Sequence, residues 1–274
     1  MLAKGNEEYF IQVLNECKNS NYQSLGRRQA FYDYSTLTGI QSLIMVTKGS
    51  CYFVDIRDEH YEWMKRLIVP ELENMFYVSF KEDIFKRFDN EIHYPFRSIY
   101  HYHVMRLDRA DFTPLFMTEQ QLSHVIHTHF IDKTECRRLT INDFNSIKTL
   151  QYDYHLEEVY EKKDNYPYKV EMENLKRSLR NEMHFGFFIN GSAAAKANVN
   201  SESKNIYQIG GVFTAKHYRH HHIAAHCLSA LITECLKTKQ AVSLYVKQDN
   251  KTAIDLYKRL GFRVMYNTVL GYIN

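Results

Sequence analysis

The residues best placed to do chemistry lie between Val212 and Ala224, where Val-Phe-Thr-Ala-Lys-His-Tyr-Arg-His-His-His-Ile-Ala passes from an apolar stretch through a short polar loop into a helical pattern. A strand that feeds directly into a helix presents free backbone N–H groups and the positive end of the helix dipole. Both suit a phosphate or a pyrophosphate. Arg219 and the run His220, His221 and His222 stand at that junction. Just upstream, Gly210 and Gly211 interrupt the strand Ile206 to Thr214, and a glycine pair inside a strand predicts a bulge or a close backbone approach by a ligand.

Other reactive side chains make weaker patterns. His124 and His127 would share a helix face, with His129 close by, and His101 and His103 flank a tyrosine. No acidic or cysteine partner stands at a recognised spacing, so these read as surface or packing histidines and no metal is expected. The five cysteines, Cys17, Cys51, Cys136, Cys227 and Cys235, form no CxxC pair. A reducing cytoplasm is the simpler expectation, and no tetrahedral metal spacing is present.

The elements that must hold the Val212–Ala224 junction follow from periodicity. Arg138 to Asp143 predicts a short strand running into a turn, then a helix with Phe144, Ile147 and Leu150 on one side, and a second helix spans Val170 to Met183. Between the two helices lies an aromatic and acidic connection containing Tyr152, Tyr154, Glu157, Glu158, Tyr160, Asp164, Tyr166 and Tyr168. His184 to Ile189 leads into Asn190-Gly191, a strong hairpin signal, with Ser192 to Val199 as the partner strand. The helix from Ile223 to Lys237 lays Ile223, Cys227, Leu228, Leu231, Ile232 and Cys235 along a core-facing stripe. Val242 to Val246 alternates as a strand, and Asn250 to Phe262 follows as a helix that Gly261 ends with a left-handed cap.

Two of these stretches together resemble the GNAT acetyltransferase family. Arg219 to Ala224 resembles its Arg/Gln-x-x-Gly-x-Gly/Ala cofactor motif, and Asn250-Lys-Thr-Ala-Ile-Asp-Leu-Tyr-Lys-Arg-Leu-Gly-Phe262 looks like its Asn-x-x-Ala-x-x-Leu-Tyr-x-x-x-Gly-Phe helix. The resemblance covers about the last half of the chain. It implies an α/β fold with a mixed α+β sheet in residues 134–274, the acyl-CoA N-acyltransferase fold, and acetyl-CoA as co-substrate. By that likeness Val212, Phe213 and Thr214 line the pantetheine, Arg219, His220, His221, His222, Ile223 and Ala224 wrap the pyrophosphate, Asn250 belongs to the cofactor site, and Tyr257 projects toward the thiol end. His222 departs from the pattern, standing where the family has glycine. A Cβ there crowds the phosphate or disfavours the local backbone conformation. Three consecutive histidines offer side-chain N–H donors in partial exchange.

The implied reaction is direct attack of a primary amine on the thioester in a ternary complex. Tyr257 is the acid that protonates the departing thiolate, and a backbone N–H near Gly211 or Val212 polarises the carbonyl. The residue that takes the proton of the amine is not legible; Glu157, Glu158 and Glu161 are the candidates. The acceptor is amine-bearing, a small molecule or a peptide, and its identity rests on variable loops. The rival reading is a catalytically weak acetyl-CoA sensor or interaction module, which His222 favours and Tyr257 disfavours.

Composition bounds the rest. The 274 residues carry 45% hydrophobic and 24% charged side chains with a net charge of +3, enough to build real cores and too little charge to make nucleic acid or a membrane an obligatory partner. The N-terminus lacks the apolar core of a secretory signal, so a cytoplasmic location is expected. The 21 Tyr and 17 Phe against one Trp read as aromatic packing in sheet-rich cores. A change of pattern near Thr134 divides the chain into an N-terminal α/β domain, residues 1–133, of unassigned role, and the GNAT-like domain, residues 134–274. The first part begins with a helix at Glu7 to Cys17, carries strands at Cys51 to Ile56, Met75 to Phe80 and Ser98 to Leu107, and is helical from Glu59 to Met75 on either side of Pro70. Two-domain relatives suggest that it is a degenerate GNAT-like domain or a family-specific α/β cap.

Overall fold

The computed structural model describes residues 30–36, 39–47, 50–129, 133–160, 166–203 and 205–273. The helix expected from Glu7 to Cys17 lies outside them, as does Glu161. Strands β1 (Ala30–Thr36), β2 (Gly39–Thr47) and β3 (Ser50–Asp55) make an antiparallel meander. Helix α1 (Tyr61–Ile68) and a 3-10 turn carrying Pro70 (Val69–Asn74) cross to β4 (Tyr77–Lys81), which runs parallel to β3. Helix α2 (Glu82–Ile92) returns the chain for β5 (Ser98–Asp108), and α3 (Glu119–His129) leads toward the second part.

That part opens with β6 (Thr134–Arg138) and a capping box. The Thr140 hydroxyl accepts from the Asn142 N–H while the Asp143 carboxylate accepts from the Thr140 N–H. Helix α4 (Phe144–Tyr154) runs on into a π turn (His155–Val159), and α5 (Tyr168–Asn181) follows. Strands β7 (His184–Ile189) and β8 (Ser192–Glu202) meet at Asn190 and Gly191, whose φ of 48° and 80° are the paired positive angles of a tight hairpin turn. Then come β9 (Ile206–Thr214), α6 (Ile223–Thr238), β10 (Ala241–Lys247), α7 (Lys251–Arg259) and β11 (Arg263–Tyr272).

Among the described residues, eleven strands join one mixed sheet in the order β1-β2-β3-β4-β11-β5-β10-β9-β8-β7-β6. Its centre shows an internal repeat. In each part, a strand parallel to its predecessor (β4 beside β3, β10 beside β9) is followed by a helix (α2, α7) and a further strand (β5, β11). Those further strands change places. β5 pairs antiparallel with β10, β11 pairs antiparallel with β4, and β5 and β11 pair with each other. The division expected at 133/134 falls between α3 and β6, and the sheet runs across it, with a strand of each part enclosed by strands of the other.

Among the described residues, three cores pad this sheet. Helix α6 buries Cys227, Leu228, Leu231, Ile232 and Cys235 as its stripe predicts, against Phe185, Phe187 and Ile189 of β7. Helices α4 and α5 bury Ile147, Leu150, Leu175 and Leu179 on the opposite face, against Phe188 and Phe213. The third core lies beneath α1 and α2, around Phe80, Phe85 and Phe88, and includes Val269 of β11. Every residue of β7 is buried because both faces of that strand are covered. Each fully buried Leu or Ile contributes about 1.5–3 kcal/mol relative to an exposed one, so this padding fixes α6, and with it the loop that precedes α6, against the sheet.

Candidate active site

Strands β9 and β10 pair only at Ile206–Gln208 against Ala241–Ser243 and then part. The gap opens into a cleft of about 1470 Å³. One wall is β9 from Ile209 to Thr214 together with the first turn of α6, and another is α7 with Asn250, Ala253 and Tyr257. Tyr154, Glu157 and Glu158 close it from the α4 side, and Tyr100 and Tyr102 of β5 reach it from the first part of the chain.

At the α6 end the sequence dictates an unusual helix start. His222, the residue before α6, offers no side-chain cap, and the first turn carries no acidic residue. The first helical bond there runs from the His226 N–H to the His222 carbonyl, so the preceding N–H groups of Ile223, Ala224 and Ala225, residues that line the cleft, have no helical acceptor. An anion satisfies such donors. His220 and His222 have φ of 67° and 61°, left-handed conformations that glycine adopts without cost and a Cβ resists. The family's glycine at the His222 position therefore answers a backbone demand that this chain meets with a histidine.

All of the residues expected to contact the cofactor line this cleft except His221, whose ring lies 6.1 Å from that of His124. Phe213 presents little more than backbone. Its side chain is buried against Tyr154, with ring centroids 5.8 Å apart. Arg219 is committed to the protein: its Nε donates to the Thr214 carbonyl at 3.0 Å, its Nη2 lies 2.7 Å from Glu157, and its guanidinium lies 5.3 Å from the Phe213 ring. It braces the loop against β9 and the π turn.

At the other end, the Asn250 side chain accepts from the Ala253 N–H at 3.1 Å and so caps α7. The helix stops at Gly261, whose φ of 103° and close approach to the Asp111 carbonyl leave no room for a Cβ. Between these ends Tyr257 is 6% exposed, packed on Phe262 and lining the cleft. Burial, then the neighbouring Tyr154 and Glu158, push its hydroxyl well above the ordinary tyrosine value, so it stays protonated at neutral pH. Tyr154 is pushed up to about 12, again mainly by burial. Of the candidate bases, Glu157 is held by Arg219, and Glu158 lies 3.5 Å from Lys247.

β9 also carries the bulge that the glycine pair predicts. The register with β8 shifts between Lys196 and Asn198, which face Phe213 and Gly210, so β9 holds one residue more than its partner. Gly211 has φ of 57° there, and a Cβ on it would run into the Asn198 side chain. Sequence reasoning missed the tyrosines of β5. The alternation from Ser98 to Leu107 predicts their strand, and nothing local predicts that it inserts beside β10. Among the described residues no group of three or more His, Cys, Asp or Glu side chains is arranged to hold a metal, and no helix is long and apolar enough to cross a membrane.

The arrangement of a parted pair of parallel strands, an anion-ready helix start and a capped second helix defines an acyl-CoA transferase type of fold. Residues 145–262 match the model of the acetyltransferase (GNAT) family, and the fold of that segment is the GNAT fold. No curated protein matches the sequence. Solved structures match nearly the whole chain. A protein from Drosophila shares 14% identity over 97% of this chain and 90% of its own, with a TM-score of 0.66. A GCN5-related N-acetyltransferase from Kribbella flavida shares 10% over 100% and 97%, at 0.62. A tandem GNAT protein from the clavulanic acid biosynthesis pathway shares 11% over 97% and 93%, at 0.56. At these identities the likeness is one of fold, and it extends over both parts of the chain.

Proposed function

We propose that this protein transfers the acetyl group of acetyl-CoA to a primary amine by direct attack within a ternary complex. The observation that carries the reading is the single cleft in which the uncapped start of α6, the bulge of β9 and the buried hydroxyl of Tyr257 converge. Acetyl-CoA fits this donor set: a pyrophosphate satisfies the free N–H groups of Ile223, Ala224 and Ala225, and Val212 to Thr214 flank an extended arm. When bound, it supplies an activated acyl group and a thiol leaving group.

The protein's own residues then have separable tasks. The α6 start and the His220–His222 loop bind the anionic end, and Asn250 fixes the first turn of α7 and so the position of Tyr257. The Tyr257 hydroxyl, kept protonated by its burial, delivers a proton to the leaving sulfur. Glu158, at the acceptor side beside Lys247, is the candidate to receive the proton of the amine, directly or through water. Thermal-shift titration with acetyl-CoA and coenzyme A, followed by thiol release across amine panels, tests the proposal. Stabilisation by both ligands and thiol release with at least one amine are expected. Absence of stabilisation refutes acetyl-CoA binding, and binding without turnover on any amine leaves the sensor reading in its place.

A further inference from the structure

Lys196 on β8 is 3% exposed, and its Nζ donates to the Gly211 carbonyl at 2.7 Å. The same ammonium lies 4.1 Å from the centre of the Tyr154 ring. Burial pushes it down to about 7, so near neutral pH it is divided between a charged and a neutral form, each of which keeps N–H donors. A buried cation is costly unless something compensates it, and what compensates this one is a carbonyl and a ring face. That carbonyl belongs to the bulge. Around it Asn198 and Asn200, the next residues on the same face of β8, bond to each other at 2.8 Å and underlie Gly211 and Gly210.

The peptide that Lys196 grips joins Gly211 to Val212 and is trans, so the Val212 N–H points the opposite way from the Gly211 carbonyl. Gly210, Gly211 and Val212 line the cleft, and beyond Gln208 β9 has no ladder partner on its β10 side among the described residues. A donor on a peptide oxygen draws charge from the amide and makes its N–H a stronger donor, by roughly 10–30% per bond. We propose that Lys196 is a positioning residue for acetyl transfer: it locks the bulge and polarises the Gly211–Val212 peptide, whose N–H meets the thioester carbonyl and the oxyanion that forms from it. This rests on the acetyl-CoA reading of the cleft. It adds a part that no cofactor motif contains, a buried amine acting through the backbone from the far side of the strand.

The test needs no acceptor. The probe is the ketone analogue of acetyl-CoA with methylene in place of sulfur, 13C-labelled at the carbonyl, whose resonance moves downfield when the oxygen accepts a stronger hydrogen bond. Wild-type protein should bind it and shift the signal. Lys196→Met should bind it with a Kd within about threefold of wild type and lose roughly 10–30% or more of that shift, at an unchanged melting temperature. A full wild-type shift in Lys196→Met overturns the proposal and leaves the acetyl-CoA reading intact. An analogue that does not bind wild-type protein overturns both. Should Lys196→Met fail to fold, 15N-valine labelling of the wild type decides the matter, since the Val212 amide proton must move downfield on binding and an unmoved one overturns the proposal.

Discussion

The three consecutive histidines before α6 allow one loop to test the backbone reasoning against itself. His220 and His222 have φ of 67° and 61°, while His221 is not among the positive-φ residues. A residue with a Cβ in the left-handed region loses roughly 1–2 kcal/mol to crowding against its own carbonyl. Glycine removes that penalty and adds about 0.5–1 kcal/mol of unfolded-chain entropy. His222→Gly should therefore gain about 0.5–1 kcal/mol, as should His220→Gly, each raising the melting temperature by roughly 1–4 °C for a chain of this size. His221→Gly has no strain to relieve and should lose a similar amount, along with its contact to His124. Urea melts read the stabilities. Titration calorimetry with coenzyme A reads the consequence at the site, where removing the His222 Cβ opens the α6 start and should tighten binding severalfold. Equal loss of stability at all three positions would refute the strain argument. Weaker coenzyme A binding by His222→Gly would show that the imidazole is itself a phosphate contact.

Three further outcomes follow from the same structure. Tyr257→Phe keeps the ring against Phe262, so melting temperature and coenzyme A affinity should hold while kcat falls by about 10²-fold, roughly 3 kcal/mol of barrier; an undiminished kcat removes Tyr257 from the mechanism. Gly261→Ala forces a Cβ onto the Asp111 carbonyl at φ of 103° and should cost about 2 kcal/mol or more in urea melts, and a neutral substitution would contradict the geometry. The Arg137 guanidinium, 2.7 Å away, holds the Asp143 carboxyl below its ordinary value. Its contribution is thus complete above the unfolded-state pKa and is lost as pH falls through the lowered folded one. Asp143→Asn should flatten that part of the acid limb of stability, and an unaltered acid limb would show that the pair contributes nothing.

The parts of the site that sequence exposes are those carried by local pattern. The Asn250 helix, the Asn190-Gly191 hairpin and the α6 stripe each follow from spacing within a few turns, and each forms at or within a few residues of its expected bounds. What stayed hidden depends on contacts between distant segments. Tyr100 and Tyr102 reach the cleft because β5 lies beside β10, a pairing between residues more than a hundred apart that leaves no trace in local periodicity. Lys196 reads as one polar residue in a strand of alanines, and only the extra residue in β9 brings the Gly211 carbonyl to it. Arg219 is expected at the pyrophosphate, and in the cleft that it lines it pairs with Glu157, a contact between distant residues that spacing cannot express.

The traded strands have a consequence in time. β11 lies far beyond β4 along the chain, so the strand that covers β4 is synthesised long after it, and Val269 of that strand is a buried member of the core under α1 and α2. Until β11 has emerged, α1 and α2 wait with β4 as an open edge, a template for pairing with another chain. The joining of segments so far apart in the chain also raises contact order and slows this closure. A chain cut after Phe262 would lose no residue of β10 or α6, yet it would unroof the core beneath α1 and α2.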